Sequence, residues 1–345
     1  MMNDEGKREP SLSACCSCGH ESLTKVRPYR AHTRYGKAVF DGAALYECER
    51  CSLVQALPRP EQSVLDAYYV SDYRRAAFTG SDVANLSDFP MDNLFYYNRG
   101  QSVSELIAQH SRLERPRILD IGAGWGHVLH ALGERYPDST RLAIEYSDVC
   151  VEHLRGLGIE VITQPVEEIL PHLDRRFDLI VLSHVLEHLL DPRTILRLIR
   201  DVLAPGGILY VEVPNIPVEF LHRYPDHMWS GRFDEPHITF FTADTLRDLI
   251  GATDFNLRFC NSAGPAYALI SRLRFQLPPL RSFVQSLLPA PLFFAIRRLR
   301  FTQALKVQSR EPSFYEYGGS RLWLRALATR NEDASDPAPT RGALP

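Results

Sequence analysis

Short apolar runs alternate with amphipathic stretches through the middle of the 345-residue chain. Ile118, Leu119 and Ile121 form the first run, and Phe177–Ser183 and residues 208–213 form two more. Runs that are apolar on both faces are typical of parallel strands inside a sheet, and the stretches between them have the length of helices. The pattern therefore predicts an α/β fold with a doubly wound parallel sheet.

Helix start and end signals lie between the second and third runs. Asp191 is a good N-cap residue, and Pro192 suits the first position of a helix. Gly206 and Gly207 are predicted to end this helix, because glycine is common just after a helix C-terminus. A strand, a helix and a further strand are therefore expected in succession here.

A glycine-rich loop follows the first apolar run. Gly122, Gly124 and Gly126 give it the spacing G-x-G-x-G, and glycine lets backbone N–H groups approach a ligand closely. Glu145 ends the next apolar segment, 19 residues beyond Gly126, where its carboxylate can accept hydrogen bonds from ribose hydroxyls. A nicotinamide site needs G-x-G-x-x-G, and His127 follows Gly126 here, so the spacing disfavours a dehydrogenase. A tight turn without a cofactor is the alternative.

The sequence around this loop resembles the S-adenosylmethionine (SAM) site of class I methyltransferases. Asp120 opens the pattern D-x-G-x-G-x-G, and F-D-L-I, H-V-L-E-H, D-P and L-A-P-G-G segments follow between residues 177 and 207. The resemblance covers residues 115–260 and implies a seven-stranded Rossmann-like methyltransferase sheet, SAM as cofactor and methyl transfer as the activity. The cofactor contacts that it implies are Asp120, Gly122, Ala123, Gly124, Gly126, Glu145, Tyr146, Val166, Glu167 and Ser183. Many relatives hold the adenine amine with an aspartate where this chain has Pro165, so the backbone of Val166, or Glu167, would have to serve.

Four of the seven cysteines form two C-x-x-C pairs near the N-terminus. Cys15 with Cys18, and Cys48 with Cys51, can present four thiolates to one tetrahedral zinc ion, which leaves no open position for catalysis. A zinc-ribbon-like module with a structural zinc is therefore predicted, and Cys16 could substitute for one ligand. A disulfide framework is the alternative. Residues 1–10 are charged and no apolar run of a signal peptide follows them, which favours zinc and a cytoplasmic protein.

A ribbon of this kind ahead of a class I domain resembles the zinc-binding C-methyltransferases of deoxysugar biosynthesis. In that family the second pair is likewise followed by Leu-Val-Gln, which stands here at residues 53–55. The resemblance implies a sugar or related small metabolite as acceptor, including one carried on a nucleotide or lipid. The family's H-E-H-x-x-Y-F segment is only partly kept: His237 and Phe241 match it, and Glu235, Pro236 and Phe240 replace the other His, the Glu and the Tyr. Because those polar groups would handle a carbanion at a sugar carbon, O-methylation is predicted beside C-methylation.

Two histidines are the candidates for the base that takes the acceptor's proton. Ligands of doubly wound sheets lie outside the carboxyl ends of the strands. His184 follows the fourth predicted strand, and His237 lies in the segment after the fifth. The methyl group of SAM is already electrophilic, so the protein mainly aligns the acceptor and removes its proton. His237 is predicted to be the base, with His184 assisting; a hydrogen bond to a loop carbonyl is the alternative for His184 and the prediction for His188.

The formal net charge of −3 argues against general binding to nucleic acid or membranes. An RNA methyltransferase is nevertheless an alternative, because basic residues and rings interleave before residue 40. These residues are Lys25, Arg27, Tyr29, Arg30, His32, Arg34, Tyr35 and Lys37. A second alternative is a SAM-binding or interaction module without catalysis. No apolar stretch is long enough to span a bilayer, and the oligomeric state stays open.

These signals divide the chain into five segments. They are a zinc-ribbon-like module at 1–60, a helical linker or lid at 61–112, a SAM-binding domain at 113–271, a basic amphipathic extension at 272–330 and a disordered tail at 331–345. A helix is predicted from Arg99 to His110, and the last strand of the sheet near residues 266–270. Weak contact of the extension with a membrane surface is one interpretation, and packing on the domain is the other.

Overall fold

The structure is a computed structural model, and it describes residues 14–29, 39–69, 94–216, 237–265, 315–317 and 323–331. The strands are β1 Leu23–Pro28, β2 Ala44–Cys48, β3 Val54–Leu57, β4 Arg117–Ile121, β5 Thr140–Ile144, β6 Glu160–Ile162, β7 Phe177–Ser183, β8 Leu203–Pro214, β9 Thr239–Phe240, β10 Phe255–Pro265, β11 Tyr315–Tyr317 and β12 Trp323–Arg330. The helices are α1 Gln62–Ala67, α2 Leu94–His110, α3 His127–Arg135, α4 Asp148–Gly156, α5 Val166–Ile169, α6 Pro192–Val202 and α7 Ala243–Gly251. Two 3-10 turns cover Leu170–His172 and Leu186–His188. Among these described residues, no helix has the length and apolar character needed to cross a bilayer.

The larger sheet has the order β11-β10-β12-β8-β7-β4-β5-β6. Strands β4 to β8 run parallel, and β12 lies antiparallel between β8 and β10. Ile118, Leu119 and Ile180 are fully buried, because helices cover both faces of the sheet. The predicted doubly wound Rossmann-like sheet is therefore confirmed, with β11 as a short eighth strand at its edge.

The last strand of the sheet does not lie where it was predicted. It is Trp323–Arg330, which pairs with β8 and β10 along its whole length. Leu324 and Leu327 are buried there, and the charge of Arg325 is compensated inside the sheet, so a basic-looking segment is in fact a core strand. The boundary at residue 271 was therefore wrong, because it cut the sheet. Residues 266–270, most of the predicted extension, and the tail beyond residue 331 lie outside the described residues.

Helix α6 begins as predicted but ends earlier. Asp191 caps it by accepting a hydrogen bond from the backbone N–H of Thr194 at 3.0 Å, and Pro192 is its first residue. The helix ends at Val202, and β8 already begins at Leu203. Gly206, with a φ of 70°, therefore lies within the strand span and does not end the helix as predicted.

Helix α2 is five residues longer at its N-terminus than the predicted helix, which began at Arg99. Val103, Leu106 and Ile107 are buried in a cluster with Leu129 of α3. This face makes α2 a packing helix of the large sheet, although its N-terminal half also reaches the candidate site. Residues 70–93 of the predicted linker or lid lie outside the described residues.

The smaller sheet has the order β1-β2-β3-β9 and is antiparallel. Its first three strands come from the predicted N-terminal module, whereas β9 comes from residues 239–240. Tyr29, Leu45 and Phe240 are buried together in its core. The predicted module at 1–60 is thus completed by a strand from the following domain.

Candidate active site and cysteine cluster

The glycine-rich loop lies at the carboxyl end of β4 and requires glycine. Gly122, Gly124 and Gly126 have φ values of 70°, 56° and 75°, in the left-handed region that favours glycine. A Cβ at Gly122 would lie 2.5 Å from a methyl group of Val185, and one at Gly126 would lie 2.6 Å from a methyl group of Leu154. Side chains at these positions would therefore clash with the loop's own surroundings.

Glu145 ends β5 as predicted and binds the glycine loop. Its Oε2 accepts a hydrogen bond from the backbone N–H of Gly124 at 2.6 Å. Its Oε1 accepts from the backbone N–H groups of Tyr146 and Ser147 at 3.0 and 2.9 Å. A carboxylate offers about four acceptor positions, so capacity remains for a ligand hydroxyl. The side chain is thus fixed in a position from which it could hold a ribose.

Asp120 is the second carboxyl group of this region. It is 2% exposed, and among the described residues its Oδ1 has no hydrogen-bond partner. Burial, with the negative charge of Glu145 added, raises the pKa of Asp120 well above its usual value. A buried carboxyl group with one unpaired oxygen fits a ligand that brings positive charge, as the ammonium and sulfonium groups of SAM would.

The predicted adenine contacts are partly engaged by the protein itself. The backbone N–H of Val166 donates to the hydroxyl oxygen of Tyr146 at 2.7 Å. Glu167 is half-buried, and this burial raises the pKa of its carboxyl group. Tyr146 and Val166 therefore form one wall at the ends of β5 and α5, next to Glu145. A ring nitrogen of adenine would have to displace the Tyr146 hydroxyl in order to accept from the Val166 N–H.

A cluster of three histidines and one glutamate lies beyond β7 and β8. His184 Nδ1 lies 3.2 Å from Glu187 Oε1, and ligand atoms of Glu187, His188 and His237 lie within 4.8 Å of one another. The rings of His188 and His237 are 4.8 Å apart in a T-shaped contact. Glu187, His188 and His237 are buried. The structure therefore brings together the histidines that the sequence analysis singled out and adds Glu187.

His184 carries a charge that affects its predicted role. Burial and the nearby Arg99 guanidinium lower its pKa, but hydrogen bonds with Glu187 and Glu212 outweigh them and raise the pKa to about 9. The backbone of His184 also has a φ of 59°, which is uncommon for residues other than glycine. A protonated imidazole cannot accept a proton, so this charge state suits a cation facing developing negative charge better than an assisting base.

A buried ionic network lies under His184, and sequence reasoning missed it. Glu212 of β8 accepts hydrogen bonds from Arg99 Nε at 2.6 Å, from Arg325 Nε at 2.5 Å and from the Tyr210 hydroxyl at 3.0 Å. Burial opposes the charge of Glu212, but both guanidinium groups outweigh it and hold its pKa well below the usual value. Ser183, a predicted cofactor contact, accepts from Arg99 in this network. A glutamate within the apolar run at 208–213 was the one available signal.

The four predicted zinc ligands lie together. Sγ of Cys15 is 3.5 Å from that of Cys51, and Sγ of Cys18 is 3.6 Å from that of Cys48. Zinc–sulfur bonds of about 2.3 Å at tetrahedral angles place sulfur atoms roughly 3.8 Å apart, which the donor set matches closely. The hydrogen bond between Cys15 and Cys51 lowers the pKa of Cys15 to about 5 and raises the pKa of Cys51, so within this pair Cys15 is the thiolate and Cys51 holds the proton.

Cys16 is not part of this cluster. Its Sγ lies 3.8 Å from the hydroxyl oxygen of Thr239, and burial raises the pKa of its thiol to about 12. The predicted substitution of Cys16 for a ligand is therefore not supported by the geometry. All five cysteines of this region are free thiols.

The part of the chain that holds the site is similar to known methyltransferases. Residues 95–258 match a family model described as a methyltransferase domain. Trans-aconitate 2-methyltransferase of Methylobacterium radiotolerans is 31% identical over 130 residues, which cover 37% of this chain and 50% of the relative. Ubiquinone biosynthesis O-methyltransferase of Xylella fastidiosa is 32% identical over 115 residues, 32% of this chain and 47% of the relative. The chain spans about half the length of the curated relatives it matches.

One solved structure matches this chain at low sequence identity. A SAM-dependent methyltransferase of Thermotoga maritima, described as a possible histamine N-methyltransferase, is 17% identical. The match covers 68% of this chain and 91% of that one, with a TM-score of 0.40. Residues 95–258 are therefore similar to SAM-dependent methyltransferase domains, and the strand order and the glycine loop agree with this similarity.

Proposed function

We propose that this protein transfers the methyl group of SAM to a hydroxyl or carbon atom of a sugar or related small metabolite. The observation that carries the proposal is that two sets of functional residues lie side by side at the carboxyl ends of adjacent strands. The glycine loop with Asp120 and Glu145 follows β4 and β5, and His184 follows β7, which pairs directly with β4. A methyl donor held by the first group would thus lie next to an acceptor held by the second.

SAM supplies an electrophilic methyl group when it is bound. The chain's own residues then have four tasks. Glu145 holds the ribose side through its remaining acceptor capacity, and the buried carboxyl group of Asp120 compensates positive charge. His237 accepts the acceptor's proton, and His184, protonated through Glu187 and Glu212, stabilises negative charge that develops on the acceptor oxygen.

The acceptor is proposed from the sequence resemblance to zinc-binding deoxysugar methyltransferases. The side chain at position 240 bears on which atom is methylated, because the related proteins have a tyrosine there. Phe240 is 2% exposed and packs with Tyr29 in the core of the smaller sheet. This position therefore offers no polar group to an acceptor, which supports O-methylation over C-methylation.

We further propose that Cys15, Cys18, Cys48 and Cys51 hold one structural zinc ion. The support is the grouping of four thiols from two C-x-x-C turns, with sulfur spacings that suit a tetrahedron. Four thiolates leave no coordination position for an acceptor. The metal would therefore stabilise the smaller sheet without entering the reaction.

The RNA methyltransferase alternative loses one of its expected contacts. Tyr29, which was expected to stack on bases, is buried against Phe40 with ring centres 4.2 Å apart. Lys25 is exposed, whereas Arg30, Arg34 and Lys37 lie outside the described residues. The alternative of a domain without catalysis is tested by turnover of SAM.

The deciding experiment has two steps. Calorimetry with SAM tests cofactor binding, and incubation of the protein with methyl-labelled SAM and separate pools of nucleotide sugars and RNA tests the acceptor class. Label transferred to a nucleotide sugar supports the proposal, and label transferred only to RNA overturns the acceptor assignment. Binding of SAM without transfer to either pool would favour the module without catalysis.

A further inference from the structure

One backbone segment joins the cysteine cluster to the acceptor side of the site. His237 directly precedes Ile238 and β9, and β9 pairs with β3 at Gln55↔Thr239 and Val54↔Phe240. We infer that the metal-loaded cysteine cluster positions His237, so that the smaller sheet completes the acceptor site. This inference rests on the proposed function and adds a role for the metal module in it.

The two C-x-x-C turns are both connected to strand β3. The backbone N–H of Cys16, inside the first C-x-x-C turn, donates to Gln55 Oε1 at 3.0 Å, and Gln55 Nε2 donates to the carbonyl oxygen of Ala14 at 3.1 Å. Gln55 is completely buried. The second C-x-x-C turn ends at Cys51, and β3 begins three residues later. Both cysteine turns therefore fix β3, one through the Gln55 side chain and one through the chain itself.

The smaller sheet in turn binds the backbone of His237 and Ile238. The backbone N–H of Ala56 in β3 donates to the carbonyl oxygen of Ile238 at 2.8 Å. The Tyr29 hydroxyl donates to the carbonyl oxygen of His237 at 3.2 Å, and the Tyr29 ring packs against Phe40 and Phe240. The smaller sheet thus holds the two consecutive carbonyl groups that set the direction of the His237 backbone.

The same backbone segment also contacts the histidine cluster. The backbone N–H of Ile238 donates to the carbonyl oxygen of Glu187 at 2.8 Å, and the His237 ring lies beside His188. The large sheet continues the contact through Phe241, whose carbonyl oxygen accepts from the backbone N–H of Ile216 at 2.9 Å. The segment is therefore held from two sides, and loss of order in the smaller sheet would release one of them.

The SAM side is held by different contacts. Glu145 is bound by backbone groups of Gly124, Tyr146 and Ser147, which belong to the β4 and β5 ends of the large sheet. Removal of the metal should therefore loosen His237 while SAM binding persists. This separation gives the inference a readout that does not depend on turnover.

The test compares the zinc-loaded full chain, the chain stripped of metal by a chelator under reducing conditions, and the stripped chain reloaded with zinc. Hydrogen exchange of the Ala56 and Ile238 amides reports the pairing of the segment. Carbethoxylation of His237 by diethyl pyrocarbonate, read by peptide mass spectrometry, reports exposure of its ring. His130, whose side chain is 37% exposed on α3, is the internal control for reagent. Calorimetry with SAM runs in parallel.

We expect the stripped protein to bind SAM within about twofold of the loaded one, and its Ala56 and Ile238 amides to exchange about tenfold faster or more. Modification of His237 should rise by a similar factor, modification of His130 should stay constant, and reloading with zinc should reverse the change. Tyr29→Phe removes the hydroxyl alone, so it should raise His237 reactivity in the zinc-loaded protein. Thr24→Val removes a hydroxyl that donates to Glu49 on the far side of the same sheet, and it should not.

Three results would overturn the inference. One is unchanged exchange and unchanged His237 reactivity after metal removal, because the large sheet alone would then hold the segment. Another is loss of SAM binding in parallel with the loosening, because the metal would then support the whole fold. The third is a full chain that takes up no zinc. A zinc-loaded protein that binds no SAM at all would instead contradict the proposed function.

Discussion

At the scale of single residues, two carboxyl groups in the site have different tasks. Glu145 is fixed by three backbone N–H groups and keeps acceptor capacity for a further donor. Asp120 is buried with one oxygen lacking a partner in the described part of the chain, and its pKa is raised by that burial. The first group is organised to receive hydroxyls, and the second is organised to receive positive charge.

Replacement of Glu145 should therefore reduce SAM affinity. We expect Glu145→Ala to weaken SAM binding by about 1.5–3 kcal/mol, the range for loss of a hydrogen bond to a charged group. Calorimetry with both proteins measures the difference. The matched control is Glu160→Ala, because Glu160 of β6 is an exposed carboxylate that pairs with Arg175. This variant should leave the affinity for SAM unchanged. Equal affinity in the wild type and Glu145→Ala would remove Glu145 from the cofactor site.

His237 is the residue whose loss should affect turnover alone. We expect His237→Ala to lower kcat by about 10²–10⁴, the contribution of general acid–base catalysis, while SAM affinity stays close to wild type. Rates of methyl transfer to the acceptor identified by the labelling experiment provide the measurement. His130→Ala on the surface of α3 is the control. If SAM binding and activity fall together, the histidine supports the structure, and if kcat does not change, the acceptor needs no base there.

At the scale of elements, β12 shows most clearly how charge can be hidden inside a sheet. Arg325 lies opposite Glu212 in the antiparallel register of β12 and β8, and both side chains are completely buried. Arg325 also donates to the hydroxyl oxygens of Ser102 and Tyr317 at 3.0 and 3.1 Å. The charge in this position is tolerated because Arg325 Nε bonds to the Glu212 carboxylate and Nη1 bonds to two hydroxyl oxygens.

Loss of the Arg325 guanidinium should accordingly destabilise the fold. We expect Arg325→Ala to reduce the free energy of unfolding by about 3–5 kcal/mol, because a buried carboxylate would lose a charged partner. Denaturant unfolding at neutral pH measures it. Arg258→Ala, which removes a guanidinium at an exposed position on β10, should cost far less. A small effect at Arg325 would mean that Arg99 alone satisfies Glu212.

The sequence predicted those elements whose signals are local. Asp191 and Pro192 marked the start of α6, and the runs at β4 and β7 marked buried strands, because caps and apolar runs depend on neighbours along the chain. Strand β12 could not be found this way, since its arginine is neutralised by a glutamate 113 residues away. The role of β9 was equally hidden, because a two-residue strand carries no pattern.

In the candidate site, too, local signals were predicted from the sequence and contacts between distant residues were not. The glycine loop lies against Glu145, and the four cysteines lie together, as their spacing in the sequence predicts. Glu187, Arg99 and Glu212 were not predicted as site residues, because their significance arises only when β7, β8 and α2 come together. The charge of His184 could not be foreseen either, since it depends on two glutamates brought into contact by the fold.

At the scale of the whole molecule, the two sheets are interlocked in sequence. The larger sheet takes β12 from residues 323–330, and the smaller sheet takes β9 from residues 239–240. Neither sheet therefore corresponds to one continuous segment of the chain. A cut that looks safe in the sequence can remove a strand from the middle of a sheet.

Two truncations of the full chain test this arrangement. A chain ending at residue 271 lacks β12, which lies between β8 and β10 and buries Leu324 and Leu327. Each such leucine is worth about 2–5 kcal/mol, and the total stability of a domain is about 5–15 kcal/mol, so we expect no cooperative thermal unfolding and no SAM binding. A chain ending at residue 331 keeps β12 and the hydrogen bond from the Asn331 N–H to the Asp254 carbonyl oxygen, and should unfold close to the full-length temperature. Cooperative unfolding and SAM binding in the shorter chain would show that another segment can fill the gap between β8 and β10.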